Sequence, residues 1–193
     1  MQYLFFEFID YLLFEEIKMK KFFVGLIVFF LTGFSSLSSM GQALEVVSES
    51  NSWEVSMQSN ALIKAYNPNA KVELLIDLNN LLPTSPYCVS NKHIKDIKFT
   101  VSIHKIADKG ESNWTKSFEK TRIYFLGSKK SYERKVYGSN LIKNNFKAGG
   151  GIINVGTLEF LSPITCDDIN NTTLRISGMK NIPLLSFKIK LKK

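Results

Sequence analysis

Few residues in this chain are of types that do chemistry, and their spacing points away from a catalytic or metal centre. His93 and His104 are the two histidines. His104 falls in the polar row of an alternating segment, where a lone imidazole is a surface residue rather than a base or a ligand. Asp167 and Asp168 are adjacent, so in a strand they face opposite ways, and in a loop they offer calcium fewer oxygens than it normally gathers. Turn formation accounts for the pair. Gly149-Gly150-Gly151 is not followed by Gly-Lys-Ser/Thr, so it is no phosphate loop and is read as a bend. No motif for a cofactor is present, and none is expected.

The cysteines tell more. Cys88 and Cys166 are the only two, and neither belongs to a CxxC pair or a Cys/His cluster that would suggest metal or redox chemistry. No base is marked beside either thiol, so neither is expected to act as a nucleophile. In an oxidising compartment such a pair bonds, and a Cys88–Cys166 disulfide is predicted.

Charge supplies the remaining candidate site. The chain carries 25 Lys and Arg against 17 Asp and Glu, a net charge of +8. The excess is lopsided: residues 116–193 hold 15 basic and 5 acidic residues. Its densest run lies between Lys116 and Lys147, and Lys129, Lys130, Arg134 and Lys135 form the candidate anion-binding group. Tyr124, Tyr132, Tyr137 and Phe146 are interleaved and could stack on a ligand. A plainer explanation competes with this one, because lysines on the wet face of strands keep a sheet soluble and guard its edges. Arg, which reads phosphate bidentately, occurs only at Arg122, Arg134 and Arg175, so nucleic acid is not an expected partner. An acidic glycan, an anionic envelope surface or another protein subunit suits the charge better.

The compartment is read from the N-terminus. Met19-Lys20-Lys21, the apolar run Phe22–Leu31 and a small, polar stretch ending in Gly41-Gln42-Ala43 make residues 19–43 a signal peptide with cleavage after Ala43. The apolar run is too short to span a bilayer, which takes about 20 residues, although an uncleaved anchor is the competing reading. No transmembrane segment is expected in the mature chain. Residues 1–18 place Glu7, Asp10, Glu15 and Glu16 before the export core, the wrong charge there, and are expected to be a mis-called N-terminal extension. The protein is therefore expected to be secreted or periplasmic, with one domain over 44–193.

Period-two alternation dominates that domain. Ile97, Phe99, Val101 and Ile103 alternate with polar residues, as do Val72, Leu74, Ile76 and Leu78, and Leu185, Phe187, Ile189 and Leu191. Each such segment sets one apolar row on a core and one polar row in water. Weaker strands are predicted at 44–48, 52–57, 61–66, 113–119, 121–126, 131–137, 151–160 and 172–177. Turn chemistry separates them, including Asn67-Pro68-Asn69, Asp108-Lys109-Gly110 and Gly138-Ser139-Asn140. Leu81–Lys92 and Pro163–Asn171 read as irregular, so the disulfide should tie loop to loop. The pattern predicts an all-β, antiparallel β-sandwich of immunoglobulin-like or jelly-roll type. The Trp spacing of an antibody domain is absent, and Trp114 sits among polar neighbours.

These features fit three functions. The first is an exported, non-catalytic binding or surface-adhesion module. The second is a structural subunit that assembles by strand addition at a sheet edge. The third is a secreted hydrolase whose site carries no motif. N-terminal sequencing of the exported protein should give Leu44 as the first residue. A mature start elsewhere would refute the cleavage site.

Overall fold

A computed structural model describes residues 42–91, 93–112, 114–127, 130–142 and 147–192. The expected extension over 1–18 and the expected leader up to residue 41 lie outside the described residues. So does Lys129.

Alternating segments become strands because each pairs its apolar row with the same row of its neighbours. β4 (Val72–Asp77) buries Val72, Leu74 and Ile76 and turns Glu73, Leu75 and Asp77 outward. β5 (Lys98–Ala107) repeats the pattern with Phe99, Val101 and Ile103. Ile76 lies opposite Val101 and Leu74 opposite Ile103, so the pleat stacks apolar on apolar across the ladder.

Among the described residues, eleven strands form two antiparallel sheets. One has the order β1 (Leu44–Ser48), β11 (Leu185–Leu191), β10 (Thr172–Ser177), β6 (Arg122–Leu126), β7 (Ser131–Lys135). The other runs β2 (Glu54–Met57), β3 (Leu62–Asn67), β4, β5, β9 (Gly151–Leu161), β8 (Gly138–Leu141). The two sheets pack face to face as an all-β sandwich. Aromatic rings join the layers. Phe99 of β5 meets Phe125 of β6 edge to face at 5.7 Å, and stacks on Phe160 of β9 at 5.5 Å. Among the described residues no helix is long and apolar enough to cross a membrane.

Two local expectations are corrected. Residues 114–117 of the strand predicted over 113–119 form a 3-10 turn, Trp114–Ser117. A strand would set Trp114, Lys116 and Phe118 on one face and carry a lysine into the core. The turn instead buries Trp114 and Phe118, at 4% and 1% exposure, and leaves Lys116 in solvent. Trp114 is thus a core residue despite its polar neighbours. The second correction is β8, whose Gly138-Ser139-Asn140 is an edge strand paired with β9 rather than a turn. Its approach depends on Gly156 (φ +124°), where a Cβ would stand 2.2 Å from the Asn140 carbonyl oxygen. Gly156 also lies at the bulge where the β5–β9 register slips between Ile103 and His104.

The disulfide joins the irregular segments as expected. Cys88 lies in a short helix, α1 (Pro86–Ser90), and Cys166 opens the 3-10 turn Cys166–Ile169. Both are fully buried, with Cα atoms 5.8 Å apart. Each turn has its own cap. The Ser85 Oγ accepts the Cys88 N–H at 3.3 Å, and the Thr165 hydroxyl donates to Asp168 Oδ2 at 2.8 Å. The bridge spans 78 positions, so replacing both cysteines by serine should lower unfolding free energy by about 4 kcal/mol. Urea denaturation of the non-reduced protein and of the double variant measures the difference. Equal midpoints would show that the bond does not constrain the unfolded chain.

Candidate functional site

The basic residues of the sequence are organised by one hairpin. β6 and β7 pair with Arg122 opposite Lys135, Ile123 opposite Arg134, Tyr124 opposite Glu133 and Phe125 opposite Tyr132. Opposite residues share a face. Ile123 and Phe125 are buried in the sandwich, so Arg134 and Tyr132 take the inner side, while Arg122, Tyr124, Glu133 and Lys135 take the outer one. β7 is the last strand of its sheet.

A cavity of about 630 Å³ lies at the end of β7, lined by Arg122, Glu133, Arg134, Lys135, Tyr137 and Leu161. Its charges are unequally engaged. Arg122 Nη1 bridges Glu133 Oε1 at 3.1 Å, and Arg134 Nη2 bridges Asp96 Oδ1 at 3.0 Å. Lys135 makes no ion pair among the described residues. Tyr137 is 64% exposed, while its backbone N–H is pinned to the Glu159 carbonyl at 2.8 Å. An exposed phenol ring therefore shares the cavity with this ammonium and two guanidinium groups.

A second cavity, of about 410 Å³, lies at the start of β7. There Lys130 Nζ sits 5.1 Å from the centroid of the Tyr132 ring, within cation–π range. Facing them is the 164–172 segment, including Asp167, Asn170 and Asn171. Asp168 is occupied as the cap of its turn, and Asn170 Oδ1 accepts the Leu191 N–H at 3.0 Å.

The predicted anion-binding residues are thus divided between the two sites. Arg134 and Lys135 meet in the first cavity, and Lys130 lines the second. Arg122, Tyr137 and Asp96 complete the first site but stood outside the predicted group of four. The antiparallel register brings Arg122 onto Lys135, a pairing that the order of residues along one strand does not display. Asp96 comes from the loop before β5, with nothing nearby in the sequence to mark it.

The other candidates have structural surroundings. His93 is exposed. His104 is half-buried on the outer face of the larger sheet, its Nδ1 3.3 Å from Glu73 Oε1. Glu73 Oε2 also takes Lys64 Nζ at 2.6 Å, so one carboxylate ties β3, β4 and β5 together. The Lys64 ammonium, with a smaller contribution from His104, holds the Glu73 carboxyl below its ordinary value of 4.5, against the opposing effect of burial. Gly150 and Gly151, at φ +94° and +100°, make the expected bend into β9. Among the described residues no group of three or more His, Cys, Asp or Glu side chains is placed to hold a metal ion.

No protein-family model, curated protein or solved structure matches the chain.

A carboxyl that is more acidic in the folded than in the unfolded state stabilises the fold above its unfolded value. That stabilisation is lost as pH falls through the depressed one. Glu73→Gln should therefore cost up to about 1 kcal/mol at neutral pH, and the gap from the parent should narrow as pH falls below the ordinary value of 4.5. Urea midpoints at pH 7 and pH 3.5 check it. A gap that persists unchanged at low pH would show that charge is not the cause.

Proposed function

We propose that this protein is an exported, non-catalytic binding module that holds an acidic glycan of an envelope or matrix at the β6–β7 edge. One observation carries the reading: Lys135, without an ionic partner among the described residues, lines a cavity together with the exposed ring of Tyr137, Arg122 and Arg134. Clustered cations concentrate and steer anions. An exposed ring offers the flat apolar surface on which a sugar can lie, and the wide mouth suits a chain that enters from the side. Among the described residues the two carboxylates at this site are both engaged, Glu133 by Arg122 and Asp96 by Arg134, whereas glycoside hydrolysis generally needs one acid free to donate a proton and a second to act as base or nucleophile. Recognition therefore explains the groups better than catalysis.

Strand addition has support of its own. The Gly127 N–H to Lys130 carbonyl bond, at 2.9 Å, sets which β7 residues bond to β6. By that phase Ser131, Glu133 and Lys135 direct their backbone groups away from the sheet. Such an edge is a template for another strand, and a subunit-assembly role would use it. Lysines on the edge oppose this use, which places it second. Size-exclusion chromatography separates the two readings, since the subunit role requires concentration-dependent assembly.

For the glycan reading, retention on a heparin or lipopolysaccharide matrix should fall steeply between low and physiological salt, because exposed charges are screened. Lys135→Ala and Tyr137→Ala should each weaken binding about fivefold, near 1 kcal/mol. Salt-insensitive retention, or full affinity in both variants, would sink it.

A further inference from the structure

The two cavities share more than a strand. Both are lined on one side by residues of the β7 hairpin, from Lys130 to Lys135, and on the other by the stretch that leaves β9, from Leu161 through Ile164 to Thr172. At roughly 3.3 Å per residue, Ser131 to Lys135 covers about 13 Å. That is a length a disaccharide does not bridge end to end and a tetrasaccharide does.

The two ends differ in chemistry. The Lys135 end presents three cations and two already engaged carboxylates, Glu133 and Asp96. At the Lys130 end, the cation lies over the Tyr132 ring, and the facing side chains are carboxylates and amides. Asp167 and Asn171 are exposed and make no side-chain hydrogen bond among the described residues. A carboxylate accepts from hydroxyl groups, and an amide both donates and accepts, so this pair suits a neutral sugar. The negative charge of Asp167 disfavours an acidic one.

We infer that the cavities are two ends of one trough, and that its ligand is an extended polysaccharide in which acidic and uncharged sugars alternate. The acid sits at Arg122 and Lys135, and the hydroxyl or amide groups of an uncharged unit sit against Asp167 and Asn171. This deepens the glycan reading above and rests on it. The turn that carries Asp167 is held by its own cap and by the disulfide, so the distance between the two ends is fixed before any ligand arrives. Pre-set spacing lowers the ordering cost of binding.

Calorimetric titration of the purified protein with hyaluronan fragments tests the inference, because that polymer alternates an acidic with an N-acetylated neutral sugar. The tetrasaccharide should bind at least tenfold more tightly than the disaccharide. The double variant Asp167→Ala/Asn171→Ala should lose this gain while keeping disaccharide affinity, and Lys135→Ala should weaken both fragments. Asp167→Asn, which keeps the shape of the turn, should bind the tetrasaccharide of galacturonic acid better than the parent does, because it removes the repelling charge. Equal affinity for the two hyaluronan fragments would overturn the trough and leave the groove reading standing. So would an unaffected double variant, or a parent that binds tetragalacturonate as well as the hyaluronan fragment. Failure of every acidic fragment to bind would overturn the groove reading as well.

Discussion

Phe125 is where the two layers of this sandwich are locked together, and the placement of β7 follows from it. Its ring meets Phe99 edge to face, and Phe99 stacks on Phe160. The contact therefore spans from β6 in one sheet to β5 and β9 in the other. All three side chains are at most 1% exposed. Burial of a phenylalanine contributes up to about 3 kcal/mol, and an aromatic pair adds about 1 kcal/mol beyond area. With β6 clamped in this way, β7 has only one neighbour to follow. Its residue opposite Phe125 is Tyr132, which packs partly buried against the core. The cations of β7 are exposed because it is an edge strand, of which Tyr132 turns toward the core.

The opposite wall is held by different means. Between β9 and β10 the chain leaves the sheet and its polar groups take other partners: Ser162 exchanges backbone bonds with Ile97 and Asp96 at 2.9 and 2.8 Å. Ser162 Oγ donates to the Ile164 carbonyl at 3.0 Å and accepts the Ile164 N–H. Thr165 and Asp168 cap the next turn, and Cys166 is tied to the helical turn at Cys88. A buried loop without such partners would leave costly unpaired groups. The disulfide and the capping box thus do for this wall what strand pairing does for β7. Both sides of the cleft are rigid for separate physical reasons.

Much of the architecture was legible from alternation because burial, not propensity, selects the strand. Val72 to Leu78 and Leu185 to Leu191 show the period plainly, and each was found as a strand close to its predicted bounds. Legibility failed where a segment's side chains do not record its neighbours. At Trp114 to Phe118 the two large residues are four apart, a helical spacing concealed among polar residues. At Gly138 to Leu141 there is almost no apolar row, and an edge strand held by backbone bonds to β9 leaves little trace in residue type. The candidate site was half legible for the same reason. A run of cations is visible along β7, but Arg122, Asp96 and Tyr137 join it only through register, a loop contact and the crossover into β8.

The edge lysines have a protective function as well, and the geometry separates that from the ligand-binding one. A charge that guards an edge need only be solvated, and any lysine on β7 serves. A charge that holds a ligand must be left unpaired beside a surface that the ligand can cover. Arg122 and Arg134 are each committed to an acid, which fixes their guanidinium planes without neutralising the cavity as a whole. Lys135 makes no ion pair among the described residues and shares the cavity with Tyr137. Solubility alone would not call for two arginines braced by carboxylates in one cavity with a lysine that has no ionic partner among the described residues and an exposed ring. Bracing of this kind costs rotamer freedom in advance, and that cost is offset when a bound anion finds its donors already oriented.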